Sequence, residues 1–307
     1  MSVAAMRHFG FERPLWQWTL TQFRRLHVMN SHAQRPRLLA FLDLGVNVAD
    51  WASPLLAAHP TLQYYGVEGS PPTAALAAAN MLTSALRRQE QQQQQQTRTE
   101  TGAAYLIPYP LLSWRIYQLA AQAGGVCFQT IHENVGGQAV QSVHLPDCSI
   151  ASTAGRAYFP QVLRTMAVQQ QQQQEWPSFF IAKFDIQNFE FKVLSSATEW
   201  LQRKPPCYVL IEALNHHFNY PTTHMPALWE LLLDAGYNVA WRAYNPYTFA
   251  TELPGRDKPF WDASNTTIGL VQAWKQDMQG EQFLGYKDYI LGFKDEQACI
   301  ERLLRDD

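Results

Sequence analysis

The chain has 307 residues, 47% of them hydrophobic and only 16% charged, with a net charge of −2. That length holds one large domain or two small ones, and the balance of charge excludes a nucleic-acid binder that works through a basic footprint. Cys127, Cys148, Cys207 and Cys299 stand far apart with no C-x-x-C pair. This excludes a disulfide-stapled scaffold and a zinc site of that spacing, so no metal is expected. Reduced thiols in an intracellular compartment, cytoplasmic by default, are expected instead.

Residues 1–37 carry six arginines and one acid, Glu12. A helix packed on the domain is expected here, with Phe11, Leu15, Trp18, Phe23 and Leu26 on one face and Pro14 near its start. A basic organelle-targeting segment is the alternative. No stretch reaches the roughly 18 apolar residues of a spanning helix, so no membrane span is expected, and no secretory signal is evident.

Residues 38–44 (LLAFLDL) form a short apolar run, followed by Gly45 and a helix opening over 46–51, the start of a βα unit. Residues 63–67 (QYYGV) make a second strand ending at Glu68, and Ser70 and Pro71 suit the start of an alanine-rich helix over 73–88. Two runs of six glutamines, 91–96 and 169–174, are low-complexity segments. Residues 97–125 read as an insertion, 126–132 as the third strand and 149–166 as a polar loop. A strand over 179–184 (FFIAKF) ends at Asp185. The helix expected over 189–200 has Phe189, Val193 and Leu194 on its apolar face and Glu190 off it. A strand over 207–211 (CYVLI) ends at Glu212, a helix over 226–235 is capped by Gly236, and strands at 237–242 and 266–271 precede a short helix over 295–305.

Apolar, non-alternating strands separated by helices predict an α/β fold with a mostly parallel sheet covered on both faces. Acids recur at strand ends: Asp43, Glu68, Asp185 and Glu212. Open α/β sheets bind ligands outside the carboxyl ends of their strands. The dinucleotide fingerprint wants G-x-G-x-x-G after the first strand, where this chain has Gly45, Asn47 and Asp50. The loop therefore suits a ligand without phosphate, and Glu68 is placed to accept hydrogen bonds from both hydroxyls of a ribose. S-adenosylmethionine, a phosphate-free nucleoside with an amino-acid tail, fits that description.

FLDLGVNVADWASPL resembles D-x-G-A-N-x-G-x-x-S, the first motif of the FkbM-type S-adenosylmethionine-dependent methyltransferases, through Asp43, Gly45, Asn47 and Ser53. VEGSP resembles the family's V-E-P-x-P, with Glu68 in place, and IHENVGGQAV resembles the region after the third strand, around Asn134. IAKFDIQNFEFKVLSSA is similar to K-I-D-V-E-G-x-E-x-x-V-L-x-G-A, aligning Lys183, Asp185, Glu190, Val193, Leu194 and Ala197.

The resemblance implies a Rossmann-like class I methyltransferase fold with a mostly parallel seven-stranded sheet and helices on both faces. That domain spans 38–294, between a helical extension over 1–37 and a short helix over 295–307, with glutamine insertions near 89–100 and 167–176. It further implies S-adenosylmethionine held by Asp43, Gly45, Asn47, Glu68, Asn134 and Asp185. Asp185 is also expected at the reacting centre, with His216 and His217 on the rim as base or acceptor contact, and the acceptor is a hydroxyl of a small molecule or glycan. Tyr220, Tyr244, Tyr247, Phe260 and Trp261 suit either an aromatic wall for a planar or sugar-like acceptor or ordinary core. Two departures stand out: Ala49 where the family has glycine, and Ile186-Gln187-Asn188 where it has V-E-G. They leave a catalytically silent binding or interaction protein as the alternative.

Overall fold

The computed structural model describes residues 3–31, 40–46, 49, 52, 55, 62–68, 73, 75–81, 83, 114–122, 125–134, 141–144, 158–169, 176–186, 190–214, 224–244, 252–278 and 286–305. The glutamine runs lie outside them, apart from Gln169. The chain divides into two compact units, one of 1–37, 42–44 and 156–307 and one of 38–41 and 45–155. Strand β1 (Ala40–Leu44) contributes residues to each.

In the unit of 45–155, β2 (Gln63–Glu68), β3 (Trp114–Gln122), β4 (Gly125–Asn134) and β5 (Gln141–His144) follow β1 in the order β1-β2-β3-β4-β5. Phe41 stacks on Tyr64 with ring centroids 5.9 Å apart. Strand β3 runs parallel to β2, with Glu68 beside Gln118. The third strand is thus 114–122, inside the segment expected as an insertion; Trp114, Ile116 and Tyr117 give it the aromatic and β-branched content that favours extended chain. The strand expected at 126–132 is β4, which runs antiparallel to β3 with Gly125 paired to Gln122.

In the other unit the ladder order is β1, β6 (Ile181–Phe184), β7 (Tyr208–Leu214), β10 (Tyr286–Gly292), β8 (Val239–Tyr244) and β9 (Trp261–Asp262). Strands β6 and β7 are parallel, whereas β10 is antiparallel to both β7 and β8. In this unit the order β1-β6-β7-β10-β8, with β10 antiparallel between β7 and β8, is that of the Rossmann-like class I methyltransferase fold, as expected. Each unit contains antiparallel pairs among its described strands. Residues 266–271 were expected as a strand but lead into a helix, and β10 lacked a clear signal because Lys287 and Asp288 interrupt its apolar run.

Seven helices of this unit have described bounds: α1 (Val3–Ser31), α2 (Tyr158–Gln169), α3 (Glu190–Ser196), α4 (Thr198–Arg203), α5 (His224–Asp234), α6 (Leu270–Met278) and α7 (Glu296–Arg305). Helix α1 starts at Val3, so Pro14 falls inside it rather than near its start. Leu15, Trp18, Phe23 and Leu26 are buried. Trp18 meets Tyr208 edge-on at 5.0 Å and its Nε1 donates to the Pro254 carbonyl at 3.2 Å. Phe23 meets Phe180 at 5.6 Å.

Helix α2 stands over 158–166 where a polar loop was expected, while 149–157 of that segment lie outside the described residues. Phe159, Val162, Leu163, Met166 and Ala167 are all buried, and their spacing is the stripe of an amphipathic helix. The single helix expected over 189–200 is interrupted at Ala197. Trp200 then fills the core between Phe159 and Phe179 and donates from Nε1 to the Pro177 carbonyl. Helix α5 ends at Gly236, whose φ of +97° is a conformation glycine adopts without penalty. The Tyr237 N–H bonds back to the Leu232 carbonyl, satisfying one of the groups a helix end exposes.

Helix α7 is tied down from several directions. The Asp295 carboxylate accepts from the Ala298 N–H at 2.9 Å, Glu296 pairs with Arg25 of α1 at 2.9 Å, and Arg302 donates to the Pro205 carbonyl. Cys299 is bonded to Cys207, with Cα atoms 5.7 Å apart and the two residues 92 positions apart in sequence. This corrects the expectation of reduced thiols at these two positions: distance along the chain says nothing about proximity once β7 and α7 are packed.

Asp277, at the end of α6, anchors β8 and β10. Its carboxylate accepts from Arg242 Nε at 2.6 Å, Tyr289 OH at 2.7 Å and Lys287 Nζ at 3.2 Å. Burial pushes this carboxyl up, but the Tyr289 and Arg242 hydrogen bonds and the Arg242 and Lys287 charges outweigh it, and the net shift is downward.

Two predictions follow from these ties. Closing a 92-residue loop stabilises by about 4–5 kcal/mol in the chain-entropy account, so reducing the disulfide is expected to lower the melting temperature by many degrees; an unchanged melt with and without reductant contradicts the bond. Asp277→Asn is expected to destabilise by about 3 kcal/mol in denaturant unfolding at neutral pH. Because the folded pKa is depressed, the Asp277 contribution is complete above about pH 3.9 and is lost as pH falls through the folded value, so the variant should also show a flatter acid limb.

Candidate functional site

Strand β6 delivers Lys183 and, just past its end, Asp185. Residues two apart on a strand share a face, and Lys183 Nζ reaches Asp185 Oδ2 at 3.0 Å and Asp43 Oδ1 on β1 at 3.7 Å. Asp43 is 1% exposed. A carboxylate this deep is costly unless a counter-charge accompanies it, and Lys183 supplies one. The Asp185 N–H donates to the Leu44 carbonyl at 2.9 Å, fastening the ends of β1 and β6.

Strand β7 places Glu212 next to Asp185, because Phe184 pairs with Ile211 in the parallel ladder. On the other flank Asp288 of β10 is the register partner of Glu212. A side-chain hydrogen bond joins Glu212 to Asp185. Burial first, then the charges of Asp185 and Asp288, push the Glu212 carboxyl up to about 9, against a smaller pull from Lys183. Glu212 therefore holds a proton at neutral pH. The sequence marked it as a strand-end acid without a role, but the strand continues to Leu214, so the acid lies inside the sheet. Asp288 had no sequence signal, since β10 was not anticipated.

Glu190, expected off the apolar face, is 1% exposed. Its Oε1 accepts from the Ile186 N–H at 2.9 Å, which fixes the turn leaving Asp185. Position alone suggested solvent; the Ile186 backbone N–H, ahead of the helix, gives the buried carboxylate a donor.

In the other unit, Gly45 has a φ of +88° and donates its N–H to the Val67 carbonyl at 2.8 Å. Glu68 closes β2, half-buried. Ala49 sits in the left-handed region at φ 63° with its N–H on the Val46 carbonyl. The glycine of the resembling family matches this backbone; an alanine holds it at a cost of about 1 kcal/mol. Asn134 is separated from Glu68. It pairs with Trp114, which pairs with Tyr64, four residues before Glu68 and some ~13 Å along the strand. The reason is the antiparallel return of β4, which carries its last residue back toward the start of β3.

Asn47, Ser53, Gln187, Asn188, His216 and His217 lie outside the described residues. Of the expected aromatic wall, Phe260 packs on Tyr289 under the Arg242 guanidinium, and buried Trp261 donates to the Ile268 carbonyl. Both are core. Among the described residues no group of three His, Cys, Asp or Glu is placed to hold a metal, and no helix is long and apolar enough to cross a membrane.

Ala49→Gly is expected to relieve the left-handed strain and raise stability by up to about 1 kcal/mol, since glycine's extra freedom in the unfolded chain offsets part of the gain. Chemical denaturation measures this; a loss of stability contradicts the assigned conformation.

No family model matches the chain, and no curated protein matches it. Among solved structures it is similar to a precorrin-6y C5,15-methyltransferase from Geobacter metallireducens, at 8% identity over 88% of this chain and 86% of that one, with a TM-score of 0.34. It is similar to an O-methyltransferase family protein from Burkholderia thailandensis at 10% identity, over 92% of this chain and 59% of that one, with a TM-score of 0.34. A third is an N-methyltransferase from Haemonchus contortus, solved with S-adenosylhomocysteine, at 12% identity over 87% and 52% of the two chains and a TM-score of 0.32. The chain spans little more than half the length of the last two.

Proposed function

We propose that the chain is an S-adenosylmethionine-dependent methyltransferase acting on a hydroxyl oxygen of a small molecule or glycan. The observation that carries this reading is the pairing of both motif acids, Asp43 and Asp185, with Lys183 at the carboxyl ends of β1 and β6, the ends at which open α/β sheets bind their ligands. In the other unit Glu68 closes β2 and Gly45 follows β1. These residue types fit a ribose and an amino-acid tail better than a pyrophosphate.

When bound, the cofactor supplies a methyl group on a positively charged sulfur. Glu68 accepts the ribose hydroxyls, while Asp43, Gly45 and Asn47 hold the amino-acid end. Asp185 faces the acceptor, and His216 and His217 contribute the base, which speeds reaction at a hydroxyl. Most of the rate comes from alignment of the two reactants. A catalytically silent cofactor-binding protein is the second reading, favoured by the strained Ala49 in the loop.

Asp43→Ala and Glu68→Ala are each expected to weaken S-adenosylmethionine binding at least tenfold in calorimetry, with circular dichroism and melting reporting that the fold persists. Unchanged affinity in both overturns the site. Transfer of a labelled methyl group to a component of a cell extract separates the enzyme from the silent protein.

A further inference from the structure

We propose that Glu212, through a proton it shares with Asp185, makes this site select a cationic ligand: the proton leaves to solvent when a positive charge binds beside the pair and stays when a neutral ligand binds. The proposal rests on the reading of the site as one for S-adenosylmethionine, and it adds Glu212 as a specificity-determining residue.

Three placements carry it. The parallel register of β6 and β7 sets Asp185 and Glu212 side by side, joined by a hydrogen bond. Two carboxyl groups joined in this way must retain one proton between them, since two adjacent carboxylates repel. The antiparallel register of β7 and β10 adds Asp288 directly opposite Glu212. Among the described residues the cation acting on the group is Lys183, which also holds Asp185 at 3.0 Å and Asp43 at 3.7 Å. Glu212 thus faces Lys183 and Asp185 from β6 and Asp288 from β10, with Asp43 of β1 reached through Lys183.

The burial and like charges that raise Glu212 to about 9 are offset by a positive group arriving beside it, and its proton is then released. The sulfur of S-adenosylmethionine is such a group; that of S-adenosylhomocysteine is neutral, on the same nucleoside and the same amino-acid tail. In a methyl transfer the charge balances. The sulfur keeps the electron pair of the broken carbon–sulfur bond and becomes neutral, the methyl carbon bonds to oxygen, and the proton lost by the hydroxyl, taken first by the histidine base, passes on to restore the pair. The discharged product then faces a site that no longer favours a cation.

The test is calorimetric titration of the full chain with each of the two compounds at pH 7.5, in phosphate and in Tris, whose ionisation heats differ. The wild type is expected to release close to one proton more with S-adenosylmethionine than with S-adenosylhomocysteine. Its affinity for the former should rise about tenfold more per pH unit below pH 9 than its affinity for the latter. In Glu212→Gln the difference between the two ligands should vanish. Equal proton counts for both ligands in the wild type, or an undiminished difference in the variant, overturns the proposal. Binding of neither compound overturns the cofactor reading, and the shared proton is then judged without ligand. A carboxyl whose folded pKa is raised stabilises fully below about pH 4.3, and that stability is lost as pH rises toward 9. The wild type should therefore lose melting temperature over that range where Glu212→Gln does not; identical profiles refute the shared proton.

Discussion

The ammonium group of Lys183 is what allows Asp43 to be where it is. Asp43 lies on an almost wholly buried strand, β1, among Phe41, Leu42 and Leu44, all with essentially no exposure. A carboxylate in that setting is costly unless a counter-charge accompanies it. The lysine on the neighbouring strand supplies that charge, and by holding Asp185 as well it fixes the end of β6 against the end of β1. Once β6 is set, its register with β7 determines where Glu212 falls, and the register of β7 with β10 determines where Asp288 falls.

The same unit contains two buried acids treated in opposite ways. Asp277 has an arginine, a lysine and a tyrosine hydroxyl as donors, so its charge is stabilised and its carboxyl stays ionised. Glu212 has acids on both sides and one shared lysine nearby, so its charge is disfavoured. A fully satisfied buried network fixes structure, which is the part Asp277 plays between α6, β8 and β10. A site held short of counter-charge keeps its capacity to respond to what enters it, and strongly perturbed carboxyls concentrate at such places.

Much of the fold was legible because it is written in local patterns. LLAFLDL and FFIAKF are apolar runs too short for helices, each with an acid at or just past its end, and both proved to contain strands with their acids near one lysine. The failures have physical causes. Strand β3 was hidden behind Pro108 and Pro110, and its tyrosine and glutamines broke the apolar run. Helix α2 was overlooked because its stripe is interleaved with Gln161, Arg164 and Thr165, so composition read as polar while periodicity read as helix. Strand β10 carries Lys287 for a partner 10 residues earlier in sequence, Asp277, and a buried lysine cannot be read as buried until that partner is known. For the site, Asp43, Asp185 and Lys183 were visible as motif residues, whereas Glu212 and Asp288 gained meaning only through cross-strand register, which a linear sequence does not contain. Asn134 went astray for the same reason: an antiparallel strand reverses direction, and the sequence near a strand end does not say which end of the sheet it is.

The insertion of β10 between β7 and β8 has a consequence for how the chain is made. The two strands that flank it leave the ribosome some 40 to 80 residues ahead of it. Until then each exposes an unpaired row of amide and carbonyl groups, flanked by buried-type side chains such as Val209, Ile211 and Ala240, an invitation to pair with another chain. The last piece of chain closes that gap, and the cysteine that ties α7 to the start of β7 follows only a few residues later. A shortened chain lacking 286–305 would thus be no smaller version of the same protein. It would be a sheet with two open seams, dependent on chaperones or prone to assemble edge to edge.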